Sequence, residues 1–233
     1  IHNTQNDMQN CYGVILMRPI ANRKTTKELV YDQLKKNILN GTIGQEEILT
    51  ETNLADTLQT SRTPVREAIA DLLNEGLLVH IPRKGFQVRK IDRHELDQIL
   101  YLRLSIEMKG VSILTEAITE AEIETLRQFI TKQEAAIREN DRIKYIELDQ
   151  AFHRKMLQFA KQNFLEQIFE ELYNLTLLIG HAAITKEGRM EEVIKEHKSI
   201  VQALEEKKSD QATKFLKEHL NITGESVINH FKV

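Results

Sequence analysis

Between Thr25 and Arg89 the hydrophobic pattern switches from a helical to a strand period, and that switch constrains the fold more than any other feature of the chain. Val30, Leu34 and Ile38 recur every fourth residue, which predicts a helix. Thr25, three residues before Glu28, supplies a capping box at its start, and Asn40-Gly41 supplies its stop. A second short helix is expected after Thr50, carrying Leu54, Ala55 and Leu58, and Gln59-Thr60 makes a tight turn. The third helix should open within Ser61-Arg62-Thr63-Pro64, where a hydroxyl is expected to cap the first turn and Pro64 lacks an amide hydrogen in any case. It runs through Val65, Ile69, Leu72 and Leu73 to Gly76. Two β-type runs follow, Leu77 to Ile81 and Phe86 to Arg89, joined by the turn Pro82-Arg83-Lys84-Gly85. Three helices and a hairpin in so short a stretch describe a winged helix-turn-helix.

Beyond Ile91 the pattern is helical throughout. Helices are expected over Arg93–Ile118, Glu120–Asn140, Arg142–Ala160, Asn163–Ala183, Glu187–Glu206 and Asp210–Phe231, with caps or breaks at Asn140-Asp141, Gln162-Asn163 and Ser209-Asp210. Connections this short imply antiparallel neighbours in a bundle. The expected fold is therefore mainly α. Residues 23–90 are expected to form a winged helix-turn-helix, and residues 91–233 an antiparallel all-helical bundle. Residues 1–22, without periodicity, are read as an N-terminal extension outside the fold.

A net charge of −3 argues against a uniformly basic nucleic-acid binder, so the distribution of charge matters more. Arg18 to Lys90 carries 12 Lys+Arg against 9 Asp+Glu, whereas Ile91 to Val233 carries 20 against 25. Any anion-binding surface thus belongs to the first third. One cysteine, Cys11, excludes an internal disulfide framework and a multi-cysteine metal site. The apolar run from Cys11 to Met17 is too short to span a membrane and no cleavage pattern follows it. These features together fit a cytoplasmic protein.

Ser61, Arg62, Thr63 and Arg66 cluster at the start of the third helix. A recognition helix presents its N-terminal residues to the major groove of double-stranded DNA, where Arg binds guanine through two hydrogen bonds. Hydroxyls and free amides there suit phosphate oxygens. Arg83 and Lys84 at the hairpin tip are candidates for a neighbouring phosphate or the minor groove, with Gly85 permitting close approach. One winged helix reads only a short site, so a homodimer on a pseudo-palindromic operator is expected.

The stretch Leu54-Ala55-Asp56-Thr57-Leu58-Gln59-Thr60-Ser61-Arg62-Thr63-Pro64-Val65-Arg66-Glu67-Ala68-Ile69 resembles the core signature of the GntR superfamily of bacterial regulators. Glu75-Gly76-Leu77-Leu78 and Pro82-Arg83-Lys84-Gly85-Phe86-Gln87-Val88 continue it through the wing, and the helical remainder is similar to the FCD effector domain of the FadR subfamily. Two positions depart from the family pattern. Ile43-Gly44-Gln45-Glu46-Glu47 stands in place of a turn that often contains Pro-Gly, and Thr52 stands where some relatives have a DNA-contacting Arg.

Within the bundle, Asp149 and His153 fall one turn apart on the same face as Ile146, Phe152, Met156 and Leu157. His197 shares a face with Val193, Ile194, Ile200, Val201 and Leu204, and His219 with Ala212, Phe215, Leu216 and Leu220. One inward His is usually a satisfied core residue. Four inward polar groups need mutual partners, since desolvating each one unpaired costs on the order of 1–3 kcal/mol. A divalent metal accepts neutral imidazole and carboxylate alike and is an economical partner. The FCD resemblance implies the same set, because metal-containing FCD domains carry Asp-x-x-x-His and two later His. Zinc is favoured, with nickel or manganese as alternatives. His80, His94, His181 and His230 lack such company.

Arg103 lies one turn before Glu107. The pair reads either as a surface i, i+4 ion pair worth about 0.3–0.5 kcal/mol or, as the FCD resemblance implies, as an anion-binding Arg at the effector cavity. A metal with open positions beside an Arg would hold a small carboxylate. An enzyme that uses the metal to activate water is the competing class. Four protein ligands occupy much of the ion, and neither a separate inward general base nor a Ser or Cys nucleophile stands out. The expectation is a regulator whose operator affinity responds to a small organic acid.

Overall fold

The computed structural model describes residues 24–184 and 186–230, without the side chains of 181, 182 and 230. The N-terminal extension and the side chains of His181 and His230 lie outside the described residues. Helix α1, Thr26–Leu39, opens with the expected capping box. The Thr25 hydroxyl accepts from the Glu28 amide, and the Glu28 carboxylate accepts from the Thr25 amide. It buries Val30, Leu34 and Ile38. Helix α2, Glu51–Thr57, is capped by the Thr50 hydroxyl, which accepts from the Asn53 amide. Helix α3, Arg62–Asn74, buries Val65, Ala68, Ile69 and Leu72 and packs across α1 and α2.

The start of α3 differs from expectation. Ser61 is its N-cap, but its hydroxyl makes no capping bond. A capping hydroxyl accepts from the amide of the second or third helical residue, and here the third is Pro64, which has no amide hydrogen. The exposed first turn therefore keeps free donors.

Strands β1, Leu78–Ile81, and β2, Gly85–Val88, form an antiparallel hairpin in the register Leu78↔Val88 to Ile81↔Gly85. Arg83 turns the loop with φ 65. A third segment joins the wing at one residue. Leu49 and Phe86 exchange backbone hydrogen bonds of 2.8 and 2.9 Å. Gly85 makes this approach possible, because a Cβ there would lie 2.2 Å from the Leu49 carbonyl oxygen, at a φ of +137 that side chains avoid.

Six helices follow among the described residues: α4, Arg93–Ala117; α5, Glu120–Arg138; α6, Arg142–Phe159; α7, Asn163–Ala183; α8, Arg189–Glu205; and α9, Ser209–His230. Asp92, Thr119 and Asp141 cap α4, α5 and α6 with their side chains. Helix α4 packs on α9 and α6, α5 on α6 and α8, and α8 on α9, around Leu96, Leu114, Leu126, Phe152, Ile200 and Leu216. None of the described helices is long and apolar enough to cross a membrane.

Helix α7 serves two neighbours. Thr176, Ile179, Gly180 and Ala183 line a cavity inside the bundle. On other faces of the same helix, Asn174 accepts a long hydrogen bond of 3.4 Å from Lys35 of α1, and Leu175 reaches Gly76 just after α3. Lys35 also holds Glu75, the C-cap of α3, at 2.8 Å, and Tyr31 donates to that same carboxylate.

Candidate functional site

The four residues singled out in the bundle meet. One ligand atom from each of Asp149, His153, His197 and His219 lies within 4.8 Å of the others. Asp149 and His153 come from successive turns of α6, His197 from α8 and His219 from α9, and all three imidazoles are fully buried. The His153 and His219 Nε2 atoms are 3.2 Å apart, and His197 Nε2 lies 3.6 Å from Asp149 Oδ1. Phe152 stacks on the His197 ring with centroids 4.3 Å apart and walls the cluster on one side.

Each imidazole is anchored from behind through Nδ1. His153 Nδ1 meets Glu107 of α4, His197 Nδ1 meets Gln133 of α5 at 3.1 Å, and His219 Nδ1 meets Glu196 of α8 at 2.7 Å. Carboxylate and amide oxygens only accept, so Nδ1 carries the proton in each ring and Nε2 presents a lone pair to the centre. Three inward lone pairs and a carboxylate repel one another. His197 Nε2 is buried without a hydrogen-bond partner. The donor set, its convergence and this orphan nitrogen fit a divalent metal ion.

Electrostatics keep the set ready to bind a cation. Burial, together with the facing His219 and His153 rings, holds His197 well below the usual histidine range. Burial also lowers His219, although Glu196 opposes the shift. Burial by itself would raise Glu107, but its contacts with His153 and Arg103 outweigh it and hold the carboxyl at about 2. Glu196 is likewise held at about 2, burial being overcome by hydrogen bonds from His219 and Arg189.

The surface reading of Arg103 and Glu107 is wrong. Both are buried, with Arg103 Nε donating to Glu107 Oε1 at 2.6 Å. A buried Arg in a bundle is held by the carboxylate it neutralises, and here that carboxylate also anchors His153. Arg103 lines a narrow cavity of about 30 Å³, together with Asp149 and His219, and its Nη2 has no partner. Sequence reasoning missed the anchors Glu107, Gln133 and Glu196, and also Arg189. A Glu directly before His197 was visible, but its partner is the His on the neighbouring helix.

In the N-terminal domain, Ser61, Arg62, Thr63 and Arg66 are all exposed at the start of α3. Arg62 donates to Glu51 at 3.1 Å. Arg83 and Lys84 are exposed at the wing tip, and Gly85 is turned to the Leu49 backbone. Leu49, Thr50 and Glu51 are consecutive. The contacts Gly85 to Leu49 and Glu51 to Arg62 therefore tie the base of the wing to the start of α3 at one end of the domain.

Comparison with known proteins bears on both regions. Residues 98–222 match the family described as FCD domain, and residues 26–88 the family described as bacterial regulatory proteins, gntR family. The chain is 30% identical over 192 residues to the uncharacterized HTH-type transcriptional regulator YdhC of Bacillus subtilis, covering 82% of this chain and 86% of that one. It is 26% identical over 198 residues to the HTH-type transcriptional repressor RspR of Escherichia coli, covering 85% and 87%. The solved structure of E. coli McbR/YncC superposes with a TM-score of 0.70 at 22% identity, over 90% of this chain and 99% of that one. A putative GntR regulator from Rhodococcus sp. RHA1 gives 0.72 at 20% identity, over 87% and 97%.

Proposed function

The chain belongs to the gntR family of bacterial regulatory proteins and carries an FCD domain, and from that premise we propose that its hold on operator DNA is controlled by a small organic acid bound beside a metal ion in the bundle. Membership makes it a DNA-binding regulator of transcription and not an enzyme. Arg62 and Arg66 read base edges, Ser61 and Thr63 receive phosphate, and Arg83 and Lys84 grip the backbone beside the wing. Gly85 contributes by shaping the wing.

The observation that carries the sensor reading is the convergence of three anchored imidazoles and one carboxylate on a point they cannot satisfy among themselves. His153, His197, His219 and Asp149 would hold the ion. Zinc suits this mixed set of nitrogen and oxygen ligands, and nickel or manganese would bind it too. The ion supplies a local positive charge with positions open to an anion.

Charge balance then favours an acid. Arg103 pairs with Glu107 and Arg189 with Glu196, which leaves the Asp149 carboxylate as one uncompensated negative charge beside neutral imidazoles. A divalent ion turns this into one positive charge, which a single carboxylate cancels. Arg103, with Nη2 free, is the residue assigned to that carboxylate.

Assembly as a homodimer on a pseudo-palindromic operator in the cytoplasm completes the reading. The bundle offers the larger surface, including a groove between α4 and α9 beside Tyr101, which is 70% exposed. The test is operator binding by metal-loaded and metal-stripped protein, each with and without a panel of short acids, alongside metal analysis of the purified chain. One ion per chain and an acid-dependent change in operator affinity are expected. Operator binding indifferent to both metal and acids would sink the sensor reading.

A further inference from the structure

Arg189 was not selected by any pattern in the sequence, yet it is the largest fully buried side chain among the described residues. As the first residue of α8, it is nearly saturated. Its Nη1 donates to Glu196 at 2.6 Å, and its Nη2 donates to Glu196 at 3.0 Å and Thr223 at 3.2 Å. Only Nε is left buried and unpartnered. The arrangement parallels the one around Arg103. Arg103, Glu107 and His153 form one chain of contacts, and Arg189, Glu196 and His219 form another. Both arginines line the same narrow cavity, and each retains an unused N–H.

A third unused group lines that cavity. Gln150 is buried, its Nε2 donates to Asp149 Oδ2 at 3.0 Å, and this bond fixes the amide so that Oε1 is the free atom. Two free donors and one free acceptor around one small space are costly to leave unpaired. A plain carboxylate answers the donors and leaves Gln150 Oε1 without a partner. A hydroxyl next to the carboxylate answers all three, since it accepts and donates at once.

We propose that Arg189 and Gln150 are specificity-determining residues of the effector cavity, selecting a short acid that carries a hydroxyl beside its carboxylate over the unsubstituted acid. This rests on the organic-acid reading given above and adds which acids are preferred. Arg103 takes the carboxylate, Arg189 Nε donates to the hydroxyl oxygen, and Gln150 Oε1 accepts from the hydroxyl. A site with buried groups made for a hydroxyl rejects the ligand lacking it more strongly than an apolar pocket rejects a missing methylene.

The experiment is calorimetric titration of full-length, zinc-saturated protein with glycolate and with acetate, with zinc stoichiometry measured for every variant. Glycolate should bind at least tenfold more tightly than acetate to the unaltered chain. In Arg189→Lys and in Gln150→Leu that ratio should fall to within about threefold. The ratio is internal to each variant, so weakened zinc binding or partial loss of folded protein cancels from it. Gln150→Leu serves if Arg189→Lys does not fold. Equal binding of the two acids by the unaltered chain, or an undiminished preference in the variants, overturns the assignment while the organic-acid reading stands. If neither acid binds the zinc-loaded chain, that reading fails, and the assignment fails with it.

Discussion

His153 and His219 face each other through their Nε2 atoms at 3.2 Å, each with its Nδ1 held by a different carboxylate. At that distance two nitrogens are normally joined by a proton. With both protons committed to Glu107 and Glu196, two lone pairs oppose each other instead, and a cation between them relieves the repulsion.

Removing one ligand should therefore do more than weaken the site. His197→Ala leaves three ligands and an apolar gap, and His153→Ala and His219→Ala act alike. Each should lose stoichiometric zinc in mass spectrometry of the native protein. Asp149→Asn removes charge but keeps shape, and should weaken zinc binding without abolishing it. Full zinc occupancy in His197→Ala would remove that residue from the ligand set.

The anchoring residues should matter nearly as much. Glu107→Gln and Glu196→Gln keep an oxygen acceptor but lose the charge that strengthens the imidazole, so zinc affinity should fall roughly 10–100-fold. Competition with a zinc chelator measures this. Unchanged affinity in both would mean that the Nδ1 contacts are packing only.

Acid should unfold the metal-free protein early. His197 and His219 have native pKa values below the ordinary value of about 6.5. Below pH 6.5 the unfolded chain binds protons that the native chain refuses, so stability falls as pH drops through that point. Glu107 and Glu196, held at about 2 against an ordinary value of 4.5, contribute further losses only as the pH falls from that ordinary value through about 2. Thermal melts of stripped protein should give a flat Tm from pH 8 to 7 and a falling one from 6.5 to 5. A Tm that rises over the lower interval would show the histidines to be charged in the native state.

On DNA the arginines and the wing should separate. Arg66→Ala should cost about 1–3 kcal/mol of discrimination for the operator over random sequence. Arg62→Ala should do the same, although Arg62 must first leave Glu51. Lys84→Ala should weaken all sequences alike and reduce the salt slope by about one. Binding isotherms at several salt concentrations distinguish the two. Undiminished operator preference in both arginine variants would displace α3 from the groove.

Local chemistry made much of this legible. Caps at Thr25 and Asp141 follow from side chains reaching their own backbone, and the helix ends fall within two residues of expectation. Asp149 and His153 were visible because i and i+4 share a helical face. What stayed hidden is set by packing between distant segments. Glu107 beside Arg103 has the spacing of a solvated pair, and only the approach of α6 buries it against His153. Glu196 is next to His197 in sequence but serves His219 on α9. Gly85 reads as freedom at a tip, whereas its need comes from Leu49, far back in the chain.

The two-sided role of α7 has a thermodynamic consequence. Thr176 and Gly180 form the cavity wall while Asn174 and Leu175, within the same two turns, abut Lys35 and Gly76. A helical turn is stiff, so the wall cannot shift while the other faces stay still. Reciprocity then requires that any molecule bound at the cavity with a preference for one placement of α7 alters the energy of seating α3 on a duplex, and that the duplex returns the same increment to the molecule. The operator is in that sense a ligand of the cavity.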